Sequence, residues 1–211
     1  IFAYGDITQV TNSGALTVQG SYATGIEVQS GGNLVVQNSG DIVVGSGLHS
    51  QYDAYTGHTT YYGTQLATGI NATSGGVGAT VGINNSGDIT AAGIFGATGI
   101  SAVSSGLGGT VGVYNSGNLT IDQNQKYGYG AYGVFASADA NATISNVGDI
   151  TVTSAGVANG LTALSFAGNA VVVNQGDIDV SNTAVLAYGA TGITAFSANG
   201  EAAVGNYGTV K

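Results

Sequence analysis

Seven copies of an Asn-x-Gly tripeptide punctuate the chain, beginning at Asn12, Asn38, Asn85, Asn115, Asn146, Asn174 and Asn206, so that successive copies lie 26, 47, 30, 31, 28 and 32 residues apart. A degenerate copy, Ala3-Tyr4-Gly5-Asp6-Ile7, precedes them. In its fullest form the element reads Asn85-Ser86-Gly87-Asp88-Ile89-Thr90, a polar corner running into a strand. Recurrence near 30 residues with one long interval marks stacked repeats that share a continuous interior, not a globular domain with a private core.

Parity assigns the faces, because residues two apart share one side of a strand. Two and four residues before the Asn stand apolar pairs such as Val36 and Leu34, Ile83 and Val81, or Val172 and Ala170. Four and six residues after it stand Ile42 and Val44, Leu119 and Ile121, or Ile178 and Val180, usually with a Thr between them that suits the outer face. A further strand carries the marker Ala-x-Gly and then a branched residue: Ala23 to Ile26, Ala67 to Ile70, Ala97 to Ile100, Ala131 to Val134, Ala158 to Leu161 and Ala190 to Ile193. Stepping by two from the branched residue runs from large to small to hydroxyl, as in Ile70, Ala72 and Ser74, so the interior narrows toward one corner.

Three inward rows per repeat predict an all-β, single-domain parallel β-helix over residues 1–211, with three strands per coil and about six to seven coils of roughly 30 residues. An antiparallel sandwich or barrel would call for hairpin turns and irregular loops, without identical parity at the same three places. The Asn row should point inward and bond its stacked neighbours, and the Gly two residues later is expected to supply a backbone conformation denied to other residues. Insertions fall on one edge, at about 45–65 and 122–130.

Composition supports order and removes several function classes. Only 6% of residues are charged, mean hydropathy is +0.25, and 38 glycines occur with no Pro, Cys, Met or Trp. That balance opposes disorder, which needs high charge and low hydropathy. Eleven acids against two lysines give a net charge of −9, which excludes the electrostatics of nucleic-acid binding and disfavours anionic membranes. No apolar run is long enough for a transmembrane helix, so no membrane insertion is expected. The lack of methionine points to export with removal of a leader, or to a chain cut from a longer product.

The Asn-x-Gly-Asp-Ile-Thr and Ala-Thr-Gly-Ile-x-Ala strands resemble the passenger regions of bacterial autotransporters and related large exported adhesins, over essentially the whole chain. The resemblance implies a right-handed β-helical stalk at the bacterial cell surface, with roles in adhesion, aggregation or biofilm.

No catalytic constellation emerges, and no cofactor is expected. Lyases and hydrolases on β-helices need clustered acids with basic or aromatic subsites, whereas arginine is absent and the lysines are Lys126 and Lys211. Asp177 and Asp179 share a strand face, and Glu27 and Glu201 are outer-face acids, without forming an acid–base pair. His49 and His58, nine residues apart, are read as members of a solvated, flexible loop, not as metal ligands. Asp41, Asp88, Asp149 and Asp177 recur at one position, interrupted by Asn118. Stacked carboxylates repel, so either calcium sits in this row or the aspartates cap turns, which is the reading favoured.

The candidate partner contacts are Tyr52, Tyr55, Tyr61, Tyr62, Tyr127 and Tyr129 on the decorated edge, where Tyr offers apolar area with a polar tip to a glycan or host-surface ligand. The same rings would otherwise fold back over the solenoid. Both chain ends fall within coils and carry no polar cap, which points to a homopolymer built by end-to-end stacking. The expectation is therefore a non-enzymatic extracellular filament subunit or stalk segment, with a carbohydrate-binding or polysaccharide-degrading β-helix as the alternative.

Overall fold

A computed structural model describes residues 1–45, 49–53, 55, 57–123, 128–183 and 189–211, with 49–53 and 58–62 described by backbone alone. The chain winds into a parallel β-solenoid of about six turns, each turn contributing one strand to each of three sheets. The first sheet holds β1 (Phe2–Gly5), β4 (Tyr22–Ser30), β9 (Leu66–Ser74), β12 (Gly96–Ser104), β15 (Gly130–Ala138), β18 (Ala158–Ser165) and β21 (Ala190–Ser197), stacked in that order. The second holds β2 (Thr8–Asn12), β5 (Leu34–Asn38), β10 (Thr80–Asn85), β13 (Thr110–Asn115), β16 (Ala142–Asn146), β19 (Ala170–Asn174) and β22 (Ala202–Asn206). The third holds β3 (Leu16–Val18), β6 (Ile42–Val44), β11 (Ile89–Gly93), β14 (Leu119–Gln123), β17 (Ile150–Ser154) and β20 (Ile178–Asn182), and Val210 bridges to Ile178.

Register is the same from coil to coil, so each apolar position becomes a column. Ile42, Ile89, Leu119, Ile150 and Ile178 lie one above another, all fully buried, as do Val36, Ile83, Val113, Ile144 and Val172 on the second sheet. The inward hydroxyls at the ends of β4, β9 and β12 close the narrow corner: Ser30 donates to Asp6 O at 3.0 Å, Ser74 to Gly32 O at 2.7 Å and Ser104 to Ala79 O at 3.0 Å.

Two local features depart from simple alternation. In β9 both Gly69 and Ile70 are buried, and the pairing of β9 with β12 passes from Thr68–Thr98 directly to Ile70–Ile100. The strand bends there and its parity flips. A Cβ on Gly69 would lie 2.5 Å from Gly99 O, so each inward glycine of this column clears the carbonyl of the next coil. The corner glycine also differs from expectation. Gly87 is not among the glycines with positive φ; it is required because a Cβ would collide with Gly40 O of the preceding coil. Close approach of stacked corners, not a left-handed backbone, excludes other residues.

The insertion at 45–65 is also more regular than a flexible loop. Its strands β7 (His49–Asp53) and β8 (His58–Tyr62) form an antiparallel hairpin, in which His49 pairs with Tyr62 and Asp53 with His58.

Candidate functional site

Each inward Asn is placed by a strand end and satisfied by its two neighbours. Asn85 Nδ2 donates to Gly87 O at 2.8 Å and to Asn115 Oδ1 at 2.7 Å, while its own Oδ1 accepts from Asn38 Nδ2 at 2.7 Å. The same bonds run unbroken from Asn12 to Asn206. All these amides donate toward the C-terminal end, which gives the ladder a direction.

The Asp row forms a second ladder on the outside of the corner. Asp88 N–H donates to Asp41 Oδ1 at 3.0 Å, Asn118 N–H to Asp88 Oδ1 at 2.8 Å, Asp149 N–H to Asn118 Oδ1 at 3.0 Å, Asp177 N–H to Asp149 Oδ1 at 2.9 Å and Thr209 N–H to Asp177 Oδ1 at 2.8 Å. The neutral side-chain amide of Asn118 accepts the Asp149 N–H just as the carboxylates accept theirs, so the row works by accepting a backbone N–H. All five side chains are exposed, in water that screens the like charges. The Thr209 backbone N–H and then the Thr209 hydroxyl hold the Asp177 carboxyl below its usual range against a partial opposing effect of desolvation, with the Lys211 charge the least of the lowering causes. Among the described residues no group of three or more His, Cys, Asp or Glu side chains converges where it could hold a metal ion.

The tyrosines divide by location. Tyr52 lies on β7, Tyr61 and Tyr62 on β8, and Tyr55 in the turn between them, 98% exposed. Tyr127 and Lys126 lie outside the described residues. Tyr129 stands 80% exposed at a corner of the first sheet, immediately before β15. There the structure sets beside the expected Tyr129 residues that the sequence reading did not single out. Phe95 N–H donates to Gln65 O at 2.9 Å and Tyr129 N–H to Phe95 O at 2.5 Å, so Gln65, Phe95 and Tyr129 are equivalent positions of three successive coils.

A concavity of about 420 Å³ opens among Tyr22, Gln65, Leu66, Phe95 and Tyr129. A second, of about 250 Å³, continues from Leu66 and Tyr129 over Gly96, Thr68 and Thr98 to Tyr132. Tyr132 is steadied edge-to-face by Phe135, with ring centroids 5.9 Å apart at 72°. A signal for this trough existed in the sequence: Phe95 and Tyr129 both stand two residues before the Ala of the Ala-x-Gly marker, and Gln65 does so one coil earlier. Comparison of the chain with protein-family models, with curated proteins and with solved structures finds no match.

Proposed function

We propose that this chain is a non-enzymatic, extracellular structural and adhesive solenoid of the autotransporter-passenger type. It would act as the repeating subunit of a filament that stacks head to tail, or as a stalk segment of a larger bacterial surface adhesin. One observation carries this reading: the interior repeats by translation, with every inward Asn amide donating in the same direction along the axis. Asn206 donates to Gly208 O as every earlier Asn does, and in earlier coils the same amide also donates to the Asn of the coil above. Val204 is 51% exposed where its column mate Val172 is 0%. Continued register would set Val10 over Val204, Asn12 over Asn206 and Leu16 over Val210. Each is a pairing of the kind already stacked inside. Open strand edges bordered by apolar interior are templates for another strand, and a head-to-tail contact does not close on itself.

Electron microscopy of the purified chain tests the reading, with a Val204→Lys variant beside it. Uniform fibres are expected for the native sequence, and isolated rods on the order of 30 Å long for the variant, whose charge would be buried in the junction. Isolated rods from both at high concentration would refute stacking. A carbohydrate-binding role is the second reading, favoured by the aromatic trough. Polysaccharide cleavage would need an acid–base pair, and a turnover screen on acidic polysaccharides separates it from binding alone.

A further inference from the structure

We propose that the trough formed by Tyr22, Gln65, Leu66, Phe95, Tyr129 and Tyr132 is a binding site for a neutral oligosaccharide lying along the solenoid axis. This inference rests on the adhesive part of the function proposed above and names its ligand class.

Four observations lead to it. First, the rings lie along the coil direction: Phe95 and Tyr129 stand on adjacent coils, and the two concavities lie side by side across these coils with Leu66 and Tyr129 lining both. Rings repeated at the coil spacing of ~4.8 Å offer apolar surface along the axis to a ligand that is itself a chain of rings. Second, the polar groups beside them are neutral. The Gln65 amide and the Thr68 and Thr98 hydroxyls offer donors and acceptors for sugar hydroxyls, and no described residue lining either concavity is charged.

Third, the whole chain carries −9, so an acidic polysaccharide would be repelled and would meet no cation among the described residues that line the trough. Fourth, β9, β12 and β15 are each paired on both sides, which leaves no strand edge to hydrogen-bond an extended peptide. An occupant must be held by side chains alone, through ring faces, one amide and hydroxyls, and that is the chemistry of a saccharide. Gly96 keeps the channel floor low. A Cβ there would press on the Cδ2 end of Leu66 at 2.9 Å, a flexible atom that can turn aside, and would otherwise make ordinary contact with Gly130 O at 3.7 Å and Tyr129 Cβ at 3.9 Å, so the fold itself does not demand glycine.

Calorimetric titration with neutral hexasaccharides of glucose, mannose and N-acetylglucosamine, and with hexagalacturonate, tests the site. At least one neutral hexasaccharide is expected to bind and hexagalacturonate is not. Phe95→Ala and Tyr129→Ala should each weaken binding by about tenfold. Gly96→Leu, which fills the floor, should abolish it, while Tyr207→Ala, exposed at the C-terminal end, should leave it unchanged. Circular dichroism of each variant reports that it is folded. Failure of every neutral hexasaccharide to bind, preference for hexagalacturonate, or affinity unchanged by both aromatic substitutions would overturn the proposal. A change in sedimentation of Phe95→Ala without any glycan binding would instead identify the trough as a contact between copies and likewise refute the site. Fibres in the microscope together with no glycan binding would remove this inference and leave the stacking proposal standing.

Discussion

At Asn85 one side chain serves three partners in the interior, so its loss is felt by both neighbouring coils. Asn85→Ala would leave Gly87 O, Asn38 Nδ2 and Asn115 Oδ1 each short of a partner in a site with no exposure. An unsatisfied buried group costs about 1–3 kcal/mol, and partial relaxation brings the expected destabilisation to about 3 kcal/mol in urea unfolding. A change within 0.5 kcal/mol of the native value would mean that the ladder is incidental to stability. Asp177 allows a finer experiment. Its carboxyl is held below the usual range in the folded state, so the stability it contributes is fully present above the unfolded carboxylate value near ~4 and is lost as pH falls toward the lower folded value. Asp177→Asn should keep the bond to Thr209, as Asn118 keeps its own, and should flatten the acid limb of a plot of melting midpoint against pH. An acid limb as steep as that of the native protein would show that Asp177 plays no part in it. The inward Asn was legible from parity because the apolar residues two and four positions before it fix its face. The reason for its Gly partner was not legible: residue identity alone cannot distinguish a left-handed turn from a carbonyl of the preceding coil lying against the same hydrogen.

The strands followed from their alternation, and the exceptions have definite physical causes. The bend at Gly69 was hidden because stepping forward from Ile70 preserves parity, whereas the flip lies behind it, between two adjacent inward residues. The hairpin β7–β8 was hidden by its polar, aromatic composition, which lacks the apolar alternation of the coil strands; its backbone pairs within itself and not with the three sheets. The tyrosine-rich insertions were read from the uneven marker offsets, whereas the trough that includes Tyr129 depends on residues brought together only when coils are aligned on the Ala-x-Gly marker. The Asp row illustrates how an element can satisfy what a lone residue could not. Each Oδ1 takes the backbone N–H of the coil above, and a neutral Asn fills the middle of the row without interrupting it. We therefore expect a chelator to leave the melting midpoint unchanged, and a drop of several degrees on adding EDTA, reversed by calcium, would establish an ion in the row.

Because every coil touches only the coils above and below it, stability in a solenoid is close to a sum of nearest-neighbour terms, and it cannot be uniform along the axis. β12, β13 and β14 have a paired strand on each side, while β1 and β22 are paired on one side only. The end coils also show their interior: Ala3 and Ile193 are only partly buried and Val204 is 51% exposed, against 0% for Ile100 in the middle. Amide hydrogen exchange at low concentration should therefore be slowest in β12 to β14 and fastest in β1 and β22. Raising the concentration to the point where fibres form then separates two kinds of end. If copies stack, the amides of β22 and β2 gain protection while those of β12 to β14 stay as they were, since only the junction acquires new pairing. The Asn206 side-chain amide should slow with them, because it gains Asn12 Oδ1 of the next copy as an acceptor. Protection of β22 already equal to that of β13 in the dilute protein would contradict the gradient, and end amides that stay fast inside visible fibres would show that the fibres are built through the sides of the solenoid instead of its ends.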